Sequence, residues 1–205
     1  MRSGLLVFLA ENFAKTAARL PYHPKIWKPN LLVPVREVDE LLFVVPFLRA
    51  LACPSGRLFF YTIMHQPAGG AGAPPQEGKA FMEKKLAGAL EPLKSEGLLA
   101  GKAVIESPAP ETGHADVIQT AIHMFFPPNA LFCLLPDGQE AQAGTLGIIH
   151  RAAGEGLGVV ILKYHAQNGF KDEAAVNLWI RRESPNVDLS ILLALQLKRN
   201  WEAHV

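Results

Sequence analysis

The 205-residue sequence predicts an α/β domain of three layers: a doubly wound, mainly parallel five-stranded sheet with an extra βα unit at the carboxyl end. Three observations lead there. Apolar runs of strand length alternate five times with segments of helical periodicity. The connections between successive strands are too long for hairpins, which leaves parallel pairing through right-handed crossovers. Finally, 49% of the residues are hydrophobic and 19% charged, a balance that suits strands buried on both faces and argues against disorder.

The elements follow in order. Residues 4–20 read as an amphipathic helix with Leu5, Leu6, Leu9, Phe13 and Leu20 on its apolar side, ended by the stiff elbow of Pro21 and Pro24. The run behind Arg2 looks superficially like a secretory signal. It leads into Glu11, Lys15 and Arg19 at helical spacing instead of a cleavage site. Residues 31–35 form the first strand, stopping near Pro34. Residues 39–52 form a helix, with Asp39 favourable near its N-terminus and Pro54, Ser55 and Gly56 as the stop. Residues 57–64 are rich in aromatic and β-branched side chains, which marks a second strand.

Residues 66–78, dense in Pro, Gly and Ala, read as a mobile surface loop. They lack the Gly-Lys-Ser/Thr ending of a phosphate-binding loop and the spacing of a dinucleotide fingerprint. A helix over 79–94 turns Phe81, Leu86, Leu90 and Leu93 to the sheet, with Pro92 predicting a kink or early end. Residues 103–105 are the third strand, and 107–110 a proline-broken loop. A helix follows at 116–126, with Val117, Ile118, Ala121, Ile122 and Phe125 on one face. The fourth strand is 130–135, the next helix 145–153 and the fifth strand 158–162.

The tail breaks this rhythm. Residues 175–180 read as another strand, 181–186 as a polar turn and 187–201 as a strongly amphipathic helix. Its Leu189, Leu192, Leu193 and Leu197, with Trp201, offer more apolar surface than one small domain needs, which predicts a dimer interface.

Composition excludes several classes. The net charge of +1, with Lys and Arg scattered, gives no footprint for nucleic acid. No stretch reaches the roughly 18–20 apolar residues that cross a bilayer; the best, 41–53, is interrupted by Pro46 and Arg49. Cys53 and Cys133 lie in apolar segments without metal-ligand spacing, which reads as buried free thiols in a reducing compartment, with a disulfide or metal site as the lesser alternative.

Catalytic patterns are equally sparse. The seven histidines are dispersed; His114 and His123 stand nine apart and face different ways, and His150 beside Arg151 reads as a surface or interface residue. No zinc-binding HExxH and no Gly-x-Ser-x-Gly elbow occurs. Glu37, Asp39 and Glu40 follow the first strand, and Asp137 and Gly138 the fourth. That is the carboxyl edge of a parallel sheet, where ligands bind, although helix starts and Asp-Gly turns attract the same residues for structural reasons. The sequence therefore predicts no enzyme, no cofactor and no metal. A hydrolase or transferase working through Glu37, Asp39 and Asp137 is the third-ranked reading.

Two stretches carry a family resemblance. Trp27-Lys28-Pro29-Asn30-Leu31-Leu32-Val33 resembles the W-[RK]-P-x-[IL]-L-V opening of the cytosolic C-terminal domain in the cation–chloride (Na-K-Cl type) cotransporter family. Leu146-Gly147-Ile148-Ile149-His150-Arg151-Ala152, followed by Leu157-Gly158-Val159-Val160-Ile161, is similar to a helix-to-strand unit of the same family. Asn177-Leu178-Trp179-Ile180 and Lys198-Arg199-Asn200-Trp201 resemble the junction with that family's second subdomain.

The resemblance implies a universal-stress-protein-like fold over residues 25–170. It makes 1–24 a connector helix from a membrane domain and 171–205 the start of a second subdomain. It further implies a non-catalytic regulatory and dimerising region at the cytoplasmic face of the cell membrane, partnered by the membrane domain of the same chain and by a second copy. The runner-up is a stand-alone nucleotide-binding stress-type protein, with Gly138, Gly144 and Thr145 as remnants of its phosphate site. The first strand ends in Val35-Arg36, without the acidic residue that commonly meets adenosine, which marks that site as degenerate.

Overall fold

The computed structural model describes residues 15, 28–65, 75–164, 175–181, 183–184, 186–202 and 204. The helix expected over 4–20 (Lys15 apart), the Pro21/Pro24 elbow, Trp27 and the glycines at 69–72 lie outside the described residues.

The sheet is the one predicted. Strands β1 (Asn30–Pro34), β2 (Arg57–His65), β3 (Leu99–Ser107), β4 (Ala130–Leu134) and β5 (Gly158–Leu162) lie in the order β3-β2-β1-β4-β5, and every pairing is parallel. Between them run helices α1 (Val38–Ala52), α2 (Pro75–Ser95), α3 (Pro110–Ala121) and α4 (Gln139–Gly154), with α5 (Val187–Trp201) last. The strand order reverses between β1 and β4, so α1 and α2 cover one face while α3 and α4 cover the other. This is the doubly wound arrangement.

Strand alternation sorts the core into two layers. Leu31, Val33, Leu58, Phe60, Ala130 and Phe132 pack with Leu41, Leu48 and Leu51 of α1 and Leu86, Leu90 and Leu93 of α2. On the other face Leu32, Tyr61, Leu131 and Cys133 pack with Val117 and Ile118 of α3 and Ala152 of α4. Both layers exclude water from the central strands, which is why those strands read as unbroken apolar runs.

Two polar details hold the amino edge together. Asn129 accepts at Oδ1 from the Asn30 amide (3.1 Å) and donates through Nδ2 to the Lys28 carbonyl (2.6 Å), tying the starts of β1 and β4. Gly56 leaves room for the Pro29 and Ala52 carbonyls, each of which a Cβ there would meet at 2.6 Å. Only glycine fits such an approach.

Several expected boundaries move. The third helix starts at Pro110 and ends at Ala121, about six residues early at its start. Proline at N1 is a helix opener, because its missing N–H would have no partner there anyway. The next helix starts at Gln139 rather than at residue 145. Pro92 does not end α2, which continues to Ser95, and Phe81 is exposed rather than turned to the sheet. Residues 175–180 are not a strand: among the described residues only Ala175 makes a bridge, to His204.

The last helix forms as expected but lies against this same domain. Leu197 is buried, and Leu193 and Trp201 pack on the core beside Phe47 of α1. Leu189 reaches Gly158, and Leu192 is half-buried. The apolar face expected to meet a second copy is thus largely engaged within the chain. Ile191 and Leu195 remain exposed.

Candidate functional site

Where β1 and β4 part, their carboxyl ends open a crevice of about 870 Å³. Its floor comes from Val33, Phe132 and Cys133, and its walls from the starts of α1, α3 and α4. Such a reversal of strand order is the usual ligand position in open α/β sheets, and the volume lies in the range of small-molecule sites.

The sequence-predicted acids divide here. Glu37 and Glu40 line the crevice, with Glu40 accepting from Arg36 one turn away. Asp39 instead accepts from Lys85 of α2 at 2.8 Å, on the far side of α1. Asp137 lines the crevice and pairs with Lys163. The trio Glu37, Asp39 and Asp137 is therefore not assembled at one point.

Gly144 and Thr145 also line the crevice. Because α4 already begins at Gln139, both lie inside the helix instead of at its mouth. Their amides belong to the helical ladder, and the Thr145 hydroxyl donates back to the Ala141 carbonyl at 3.0 Å. Gly138, with φ +91°, is the N-cap residue, and its carbonyl accepts from Gln142. A phosphate would need the free amides of a helix start; Gly144 and Thr145 do not supply them.

A pair that sequence reasoning missed lies deeper. His114 of α3 lines the crevice, and its Nδ1 sits 3.1 Å from the hydroxyl of Tyr61 of β2, with the rings edge to face at 5.5 Å. Burial lowers the His114 pKa against a smaller upward pull from Glu111. Burial, then the nearby Cys133, raises that of Tyr61, and the Cys133 thiol is pushed up to about 12 by burial. The imidazole is thus held neutral and the thiol and phenol protonated. That is the state of packed side chains and not of an activated nucleophile, which needs a lowered pKa or an adjacent base.

At the rim Phe43 and Tyr164 stack at 5.8 Å between centroids. His150 is exposed on α4, and Arg151 pairs with Glu155 at 3.0 Å. Among the described residues no group of three His, Cys, Asp or Glu side chains could hold a metal ion. Nor is any described helix long and apolar enough to cross a membrane.

Comparison with known proteins places this geometry. The chain resembles a crystal structure of the cytoplasmic domain of a prokaryotic cation chloride cotransporter, with 28% identity and a TM-score of 0.69. That match covers 86% of this chain, which spans 64% of the solved one. A universal stress protein solved with cAMP aligns at 16% identity over 67% of this chain and 96% of its own, with a TM-score of 0.43. One from Archaeoglobus fulgidus solved with dAMP aligns at 16% over 67% and 99%, with a TM-score of 0.41. These two overlaps are too loose to carry anything about ligands. No curated protein sequence matches significantly. The family model for the first part of the prokaryotic cation-chloride cotransporter C-terminal domain matches residues 33–170, two-thirds of the chain, and the chain belongs to that family.

Proposed function

We propose that the chain is a non-catalytic regulatory and dimerising region that lies at the cytoplasmic face of the membrane and is coupled to ion transport by an attached membrane domain. The observation that carries this is the family match over residues 33–170, spanning all five strands but the first three residues of β1. The state of the crevice supports it. The thiol at its floor and the phenol behind His114 are held protonated, the Thr145 hydroxyl is turned back into its helix, and Asp39 pairs with Lys85 away from Glu37 and Asp137. These are features of a scaffold whose surfaces do the work.

Dimerisation draws support from the sheet edge. Among the described residues β5 pairs with β4 alone, its Ile161 is 49% exposed, and Leu146 of the neighbouring α4 is also exposed. An open edge of this kind is a site for a second chain.

The test joins this region to its transporter. Ion flux and chemical crosslinking are measured with the region intact, deleted, and carrying Ile161→Lys. The reading expects deletion to change flux or its control, and Ile161→Lys to reduce crosslinked dimer. A monomeric region whose deletion leaves flux untouched defeats it.

A further inference from the structure

The face of the sheet that α3 covers is covered only in part. At 1.5 Å per residue, the twelve residues of α3 run ~18 Å, whereas the nine residues of β2 or β3 run ~30 Å. The helix sits toward the carboxyl ends. At the amino ends a groove of about 440 Å³ remains, floored by Leu32, Phe59 and Gly101 and bounded by Ala121, Met124 and Phe126.

Its rim is apolar and open to solvent. Leu99 is 61% exposed, Phe126 49% and Met124 39%. Within it Arg57 holds its guanidinium 3.5 Å from the centre of the Phe126 ring, and its buried Nε has no hydrogen-bond partner among the described residues. An apolar groove with so exposed a rim is a surface built to be covered.

We propose that the apolar side of this chain's own N-terminal segment, residues 4–20, docks in this groove. Three observations select that occupant over a second copy or a foreign partner. The first residue of β1, Asn30, lines the groove, so the preceding chain arrives there. The segment carries a matching apolar stripe in Leu5, Leu6, Leu9 and Phe13, and Lys15, on the polar side of that stripe, is helical and exposed. The tether of residues 21–29 spans at most ~30 Å, which holds the segment at high effective concentration beside the groove and disfavours competitors in trans.

Docking extends the proposed function without depending on it. The test reads the chain alone.

The experiment uses the full 205-residue chain. A photoreactive benzoylphenylalanine replaces Phe13, and adducts are mapped by mass spectrometry. In parallel, Leu9→Asp/Phe13→Asp is compared with the parent by hydrogen exchange. The proposal expects intramolecular adducts at residues 99–101 or 124–126. It also expects exchange there to quicken about tenfold or more in the double variant, while α1 and β1 keep their protection and report an intact fold. Adducts elsewhere, adducts only between two chains, or unchanged exchange at the groove overturn it. Should the double variant unfold, the crosslink map alone decides.

Discussion

Asn200, near the end of α5, donates through Nδ2 to the carbonyl of Cys53 at 2.9 Å, just beyond the end of α1. The same amide donates to the Ala50 carbonyl, and Gln196 adds a second donor to Cys53. The last carbonyls of a helix have no partner within it. Here the tail helix supplies one, and this polar clasp fixes where its apolar face lands.

Replacing Asn200 with Ala is therefore expected to lower stability by about 1–2 kcal/mol, because the Ala50 carbonyl loses this donor and the Cys53 carbonyl keeps only Gln196. Asn200→Asp costs at least as much, since it sets a carboxylate against two carbonyls. The urea midpoint is the measurement, and a midpoint unchanged in both variants removes the clasp from the account.

Along the same helix, position decides the cost of truncation. Leu197 is 8% exposed and packs on the core, whereas Leu195 is 54% exposed. Leu197→Ala is expected to cost about 2–4 kcal/mol through lost burial and a partly collapsed cavity. Leu195→Ala stays within about 0.5 kcal/mol. Equal losses would mean that α5 does not pack as described.

These two positions also show what the sequence could and could not disclose. The leucine stripe of residues 187–201 revealed a helix with one apolar face, but not whether that face meets its own domain or another chain. Periodicity carries no address. The central strands were legible because burial on both sides makes them continuous apolar runs. Residues 175–180 looked the same, yet a strand also needs a neighbour to pair with, and among the described residues only Ala175 has one. Helix starts were misread at Pro110 and Gln139, where proline and an Asp-Gly turn open helices instead of separating them. The acids of the crevice rim were visible from their place after β1 and β4. The His114–Tyr61 pair was not, because its members stand 53 residues apart and meet only through the crossover.

That pair gives a dependence on pH. Burial lowers the folded-state pKa of His114, so the unfolded chain takes up a proton first as pH falls. The contribution is intact above the ordinary histidine value of about 6.5 and is lost as pH drops through it toward the lowered value. Stability from urea titrations at a series of pH values should fall across that window. His114→Asn should fall less steeply, and parallel slopes would separate His114 from the effect.

The two thiols make the sharpest contrast, because burial acts on them to different degrees. Cys133 sits in the core between sheet and helices with its thiol pushed up to about 12, so the native protein holds almost no thiolate there at pH 8. Cys53 is only half-buried at the end of α1. Burial and then Glu96 raise its pKa, while Arg49 pulls it down. Iodoacetamide at pH 8 is therefore expected to label Cys53 first and to reach Cys133 only through opening of the core. Sub-denaturing urea should quicken labelling of Cys133 in step with the unfolded fraction and leave that of Cys53 nearly constant. Peptide mapping over time distinguishes the two. Labelling of both at one rate in the native protein would mean that the layer around Cys133 is not closed, and with it would go the packed floor of the crevice.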